Sequence, residues 1–309
     1  MSRVHRIEVR RGVEPVNHGR SGEWSAARIS LRLSPRYREF MPSTRPAHPP
    51  GIRTAGIDLA TEPDRTGLAV MEWAEGGARV VEVRLGASND DIVGLALNVE
   101  LMGIDCAFGW PDAFVDFVAA HRAGEILGEE ASGDRDWRRS LAYRATDRAV
   151  HARTSRWPLS VATDRLGLTA LRCAVLLNAV AAAGAPVDRS GAPPSRLVEV
   201  YPAAALRCWE IRQAGYKSDA VRRAEVLDEL LAAAPWLEVG TFREVMLETS
   251  DALDAVLSAL VAGFAHAGAV DAPPADALDA AAREGWIALP SGDLTAAPGL
   301  PPARVGGSL

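Results

Sequence analysis

Three acidic residues interrupt otherwise apolar, strand-like segments: Asp58 in GIDLA, Asp105 in GIDCAFGWP and Glu199 in LVEVYP. An isolated carboxylate is costly to bury, so each must be paired, exposed at a strand end or bound to a cation. One such residue reads as a side chain hydrogen-bonded at a sheet edge. Three strands carrying one acid each at a similar position read differently, because converging acids repel one another unless a cation neutralises them. A fourth acid comes from SDALDAVLSALVAGF, where Leu253, Val256, Leu257, Leu260 and Phe264 form the apolar stripe of a helix. At about 100° per residue, Asp254 falls on the border of that stripe and Asp251 about 60° further toward solvent. The candidate catalytic set is therefore Asp58, Asp105, Glu199 and Asp254, with Asp58, Asp105, Asp254 and Asp251 as candidate metal ligands.

All of these are hard oxygen donors with no Cys/His cluster beside them, a set that selects Mg²⁺ or Mn²⁺ over zinc or copper. Paired hard cations a few ångströms apart suit in-line attack of water on a phosphodiester, one activating the nucleophile and the other stabilising the leaving oxygen. That chemistry requires the carboxyl groups of Asp58, Asp105 and Asp254 to converge within about 8 Å of one another. Glu199 is expected at the rim of the same cleft. Arg144, Asp147, Arg153 and Lys217 form the candidate substrate-binding set. Arg144 and Asp147 in YRATDRAV stand one helical turn apart, which fits a surface ion pair or an arginine held beside a phosphate. Trp137, Tyr143 and Trp157 alternate with arginines here, as core aromatics or as stacking surfaces for unpaired bases.

The elements that must position these groups can be read from periodicity. TAGIDLA, GLAVMEW and ARVVEVRL are strands, the last two joined through the hairpin signal Glu75-Gly76-Gly77. DDIVGLALNVE is a short helix, and LMGIDCAFG is an apolar run that reads as a buried strand. The order β-β-β-α-β describes an antiparallel meander, a crossover helix and a parallel return. After Pro111 the pattern is mainly helical, including a helix capped by Thr163 and ended by Gly184. RLVEVYPA adds a strand broken by Pro202, and helices follow at about 203–212, 219–233 and 242–267. Thr241 and Glu244 supply a capping box for the last helix, and GWIALP offers a final short strand.

Residues 1–51 lack sustained periodicity and read as a disordered extension. The domain spans 52–290, with a helical insertion at about 112–195, and 291–309 form a Pro/Gly-rich flexible tail. Net charge is −6, yet residues 1–50 hold ten arginines and four glutamates (+6), and 135–172 hold nine arginines and three aspartates (+6). A basic island on an acidic body fits a phosphate-bearing partner. Arginine is also the general cation of this chain, in which Lys217 is the only lysine. Three widely spaced cysteines, Cys106, Cys173 and Cys208, argue against a disulfide framework and for a reducing cytoplasm. No apolar run is long enough for a membrane span.

GIDLA, GIDCAFGWP, YRATD, LVEVYP and SDALDAVLSALVA together resemble domain-of-unknown-function family 429 (DUF429), described as predicted nucleases of the ribonuclease H-like superfamily. The resemblance covers about residues 53–290. It implies an α/β ribonuclease H-like fold, a mixed sheet flanked by helices, and a two-metal site for hydrolysis of DNA or RNA. Two further readings compete with it. A catalytically silent module would use the same fold to bind nucleic acid or protein. An ATP-dependent phosphotransferase would share the GIDLAT turn but needs two such units and a glycine-rich adenosine loop, which this sequence lacks.

Overall fold

The computed structural model of the protein describes residues 51–125 and 134–299. The proposed extension over residues 1–51 lies outside the described residues, Gly51 apart, as do 300–309 of the proposed tail. Six strands form one sheet: β1 (Ile52–Asp58), β2 (Gly67–Ala74), β3 (Gly77–Leu85), β4 (Leu101–Asp105), β5 (Leu197–Glu199) and β6 (Leu237–Glu238). Their order is β5-β4-β1-β2-β3-β6, with β1–β2–β3 an antiparallel meander and β1–β4, β4–β5 and β3–β6 parallel. The architecture is the expected α/β arrangement, consistent with a ribonuclease H-like fold.

Among the described residues ten α-helices flank the sheet. They are α1 (Asn89–Ala96), α2 (Asp112–Ala123), α3 (Arg135–Ala142), α4 (Ala145–Thr154), α5 (Gly167–Ala182), α6 (Pro202–Cys208), α7 (Ala220–Ala233), α8 (Arg243–Glu248), α9 (Ser250–His266) and α10 (Leu278–Glu284). Helix α1 begins in a capping box, with Ser88 accepting from Asp91 N–H and the Asp91 carboxylate accepting from Ser88 N–H. Pro202 opens α6, where its missing N–H costs nothing.

The core is built around α9, in which every residue from Ala252 to Phe264 is buried. It lies across β1, β2 and β4 closely enough that three strand positions, Gly56, Gly67 and Gly103, tolerate only glycine. A Cβ on Gly56 would stand 2.0 Å from the Ala255 carbonyl oxygen, and one on Gly103 would stand 2.5 Å from that of Ser258. Thr54, on the same face of β1 as Gly56, donates its hydroxyl to the Ala259 carbonyl at 2.8 Å and accepts from Trp73 Nε1 at 2.8 Å. This buried strand hydroxyl is thus satisfied by the helix backbone.

Several element boundaries differ from expectation. The single helix expected over 242–267 is two, because Thr249 is extended (φ −139°, ψ 140°) and caps α9 by accepting from Asp251 N–H. Thr241 caps nothing; it sits in a 3₁₀ turn over Gly240–Phe242. Thr163 likewise lies in a turn before α5, which starts at Gly167. GWIALP forms no extended strand and pairs only through two isolated bridges, Ile287 with Glu199 and Pro290 with Val270. The packed chain also runs past residue 290: Leu294 is buried, and Trp236 Nε1 donates to its carbonyl at 2.8 Å.

Candidate metal centre

Strands β1 and β4 are parallel neighbours in the register Gly56↔Gly103 and Asp58↔Asp105. Side chains alternate faces along a strand, so each acid shares a face with the glycine two residues before it. Those glycines let α9 settle onto that face, and the turn of α9 before Ser258 then carries Asp254 over the two strand ends. One carboxylate oxygen from each of Asp58, Asp105 and Asp254 lies within 4.8 Å of the others. The repeated Gly-Ile-Asp is thus one device used twice: the glycine admits the helix and the aspartate meets it.

Asp254 is fully buried, whereas Asp58 and Asp105 are partly exposed. Tyr216 donates its hydroxyl to Asp254 Oδ1 at 2.6 Å, and Lys217 Nζ lies 2.7 Å from Asp254 Oδ2. Burial, then the charges of Asp105 and Asp254, push the Asp58 carboxyl up to about 9. Burial raises Asp105 to about 7, with Asp254 and Glu199 adding to the rise and Lys217 opposing it. Burial also raises Asp254, against the pull of Lys217 and Tyr216. Three carboxylates this close share one problem, an excess of negative charge in a poorly solvated place. A hard divalent cation answers it, and the all-oxygen donor set fits Mg²⁺ or Mn²⁺.

The remaining predicted residues divide differently. Asp251 stays outside this group. It stands in the first turn of α9, 3.3 Å from Arg65 Nη2, close enough for its charge to act on Asp58 and Asp254. Glu199 is not at a rim but buried, and Arg144 grips it through Nη1 to Oε2 (2.9 Å) and Nη2 to Oε1 (2.8 Å). Phe108 N–H also donates to Glu199 Oε2, at 2.9 Å. Burial raises the Glu199 pKa and Arg144 opposes the rise.

Arg144 and Asp147, expected to bind substrate, are structural. Arg144 is 3% exposed, and its remaining donors go to both Asp147 oxygens (3.2 and 3.0 Å) and to the Glu284 carbonyl (3.1 Å). A guanidinium has five N–H groups, so none is left for a phosphate. Arg153 is half-exposed and 3.8 Å from Asp271, and only Lys217 of the substrate-binding set joins the carboxylates. The aromatics have also found partners. Trp157 stacks on His151 (4.1 Å between centroids) and meets Tyr143 at a tilt (4.3 Å) beneath the Arg139 guanidinium, while Trp137 meets Phe117 edge-on. Tyr216 is the contributor that the sequence did not reveal. A lone tyrosine in a loop carries no periodic signal, although its position beside Lys217 is a clue in retrospect.

A concavity of about 550 Å³ lies at the opposite end of β1 and β2, lined by Arg53, Glu72, Trp73, Arg79 and Trp236. Arg53 and Arg79 already neutralise Glu72 there, and none of the clustered aspartates reaches it.

No curated protein matches this sequence significantly, and no solved structure does. The sequence model of one family, described as "Protein of unknown function (DUF429)", matches residues 56–279, from the glycine that seats α9 to the start of α10. The chain belongs to the DUF429 family.

Proposed function

We propose that this protein is a metal-dependent nuclease of the ribonuclease H-like superfamily, hydrolysing phosphodiester bonds of DNA or RNA with Mg²⁺ or Mn²⁺ held by Asp58, Asp105 and Asp254. The observation that carries the reading is the convergence of three carboxylates within 4.8 Å at adjacent strand ends, two of them partly open to solvent. When bound, the cation would supply Lewis-acid polarisation of a phosphate and a lowered pKa for an attacking water. The protein's part is preorganisation. Asp58 and Asp105 are fixed by the β1–β4 register, and Asp254 by its helix, by Tyr216 and by Lys217. Such fixed charges avoid reorganisation at the moment of reaction. Exposed Arg65 and half-exposed Lys217 bring positive charge to the edge of the centre, where a phosphate backbone would approach. Three free cysteines accord with a reducing, cytoplasmic setting.

The test is cleavage of end-labelled single- and double-stranded DNA and RNA by the purified chain in Mg²⁺, Mn²⁺ or EDTA, beside Asp58→Asn. Cleavage that EDTA abolishes and Asp58→Asn lowers by orders of magnitude is the expected result. Equal cleavage by both proteins would reject it.

A further inference from the structure

Lys217 is no ordinary surface lysine, because the turn that carries it is held by hydrogen bonds from its neighbours on both sides. Gly215, at φ +85°, turns the chain, and the Gly215 carbonyl accepts from the N–H groups of Ser218 (3.1 Å) and Asp219 (3.0 Å). A side chain at Gly215 would strain that turn. Asp219 then caps α7 by accepting from Val221 N–H. Arg223, 6% exposed in the first turn of α7, reaches back to the Tyr216 carbonyl (2.9 Å) and across to the carbonyls of Leu247 (2.9 Å) and Glu248 (3.1 Å). One buried guanidinium therefore clamps the Tyr216–Lys217 turn to the end of α8, just before α9 begins. The clamp sets two adjacent side chains on one carboxylate, Tyr216 on Asp254 Oδ1 and Lys217 on Asp254 Oδ2.

The charge count follows. Three ionised aspartates carry −3 and one ammonium returns +1, leaving −2, the charge that a single divalent cation cancels. A second divalent ion would leave the centre at +2, against +1 without the ammonium, and would have to share Asp254 Oδ2 with an ammonium already 2.7 Å away. We infer that Lys217 is the second cation of this centre: a fixed ammonium that takes the place of one metal ion and leaves room for one divalent ion per chain. The inference rests on the reading of Asp58, Asp105 and Asp254 as metal ligands, and it replaces the two-metal site expected from the sequence with one ion plus one ammonium.

The experiment is the count of Mn²⁺ ions bound per full-length chain, by calorimetry and by electron paramagnetic resonance of free Mn²⁺, with no nucleic acid present. Wild type should bind about one ion, Lys217→Arg about one, and Lys217→Met about two, with a larger Mn²⁺-induced rise in Tm for Lys217→Met. Two ions in wild type, or one ion in both wild type and Lys217→Met, would overturn the inference, as would no binding in either. Should Lys217→Met not fold, the wild-type count still decides, and a second measurement stands beside it. Because Lys217 is the only lysine, lysine-selective ¹³C labelling gives a single side-chain reporter. Saturating Mg²⁺ should shift its Cε resonance while leaving it ordered; collapse to the position of a free lysine would show that the ammonium is expelled, against the proposal. A chain that binds one ion but cleaves no nucleic acid would remove the nuclease reading and leave the ion count standing.

Discussion

At the scale of single residues, the centre is a balance between burial and charge, and pH exposes it. Asp58 and Asp105 hold their protons to about 9 and about 7, whereas the same groups in an unfolded chain release them near 3.8. Between those limits the folded, metal-free protein binds more protons than the unfolded one, so its stability falls as pH rises. The contribution is full below about pH 4 and is lost progressively by about pH 9. Metal-free protein should lose on the order of 5 °C in Tm between pH 5 and pH 9 beyond any loss in Asp58→Asn, a difference that calorimetric scans would read. Parallel curves for the two proteins would mean that Asp58 does not titrate in this window. A cation competes with those protons, so the gain in Tm from Mn²⁺ should be small at pH 6 and grow toward pH 8.5 in wild type. Asp58→Asn should show little gain at either pH.

At the scale of elements, the contact of α9 with β1 and β4 sets the geometry, and a buried ion pair holds the neighbouring strand. Gly56→Ala drives a methyl into the backbone of α9, and a helix backbone cannot yield as a side-chain tip does. A loss of about 3 kcal/mol or more is expected in denaturant unfolding, together with weakened Mn²⁺ binding because Asp254 moves with its helix. Gly94→Ala, at a position where a Cβ meets nothing within 4 Å, is the matched control and should not lose stability. Arg144→Met leaves Glu199 and Asp147 buried without their counter-charge and should cost about 3–5 kcal/mol. Its affinity for nucleic acid, corrected for the folded fraction, should keep its salt dependence, because the side chain has no donor left for phosphate. A flattened salt slope would return Arg144 to the substrate-binding set.

At the scale of the whole molecule, the packed body extends beyond the boundary that composition implies. Leu294 belongs to the main hydrophobic cluster with Trp73, Leu237 and Phe264, and its carbonyl receives the Trp236 indole N–H. Pro/Gly content describes how the chain turns there, not whether it packs. Leu294→Ala should cost about 2–5 kcal/mol, and a chain ending at residue 290 should melt lower than one ending at residue 299. Identical melting of the two truncations would show that the closing segment adds nothing. No helix among the described residues is long and apolar enough to cross a membrane.

What the sequence determined by itself were the patterns that local physics enforces. Period-two strands, the β-β-β-α-β opening and the long late helix follow from hydrophobic alternation. Asp58, Asp105 and Asp254 stood out because carboxylates in apolar elements demand an explanation. What only the tertiary structure decided was which charges meet. Arg144 and Glu199 are 55 residues apart and were assigned to different roles, yet they form one buried pair and answer each other's desolvation. The two-helix break at Thr249 was hidden because its flanks share a helical period, while cap geometry is a property of backbone angles. Tyr216 and Lys217 reach Asp254 through a turn clamped by Arg223, a long-range arrangement without a periodic signature. Periodicity specifies which face of an element is apolar; the partner of a buried charge is chosen only when distant elements pack.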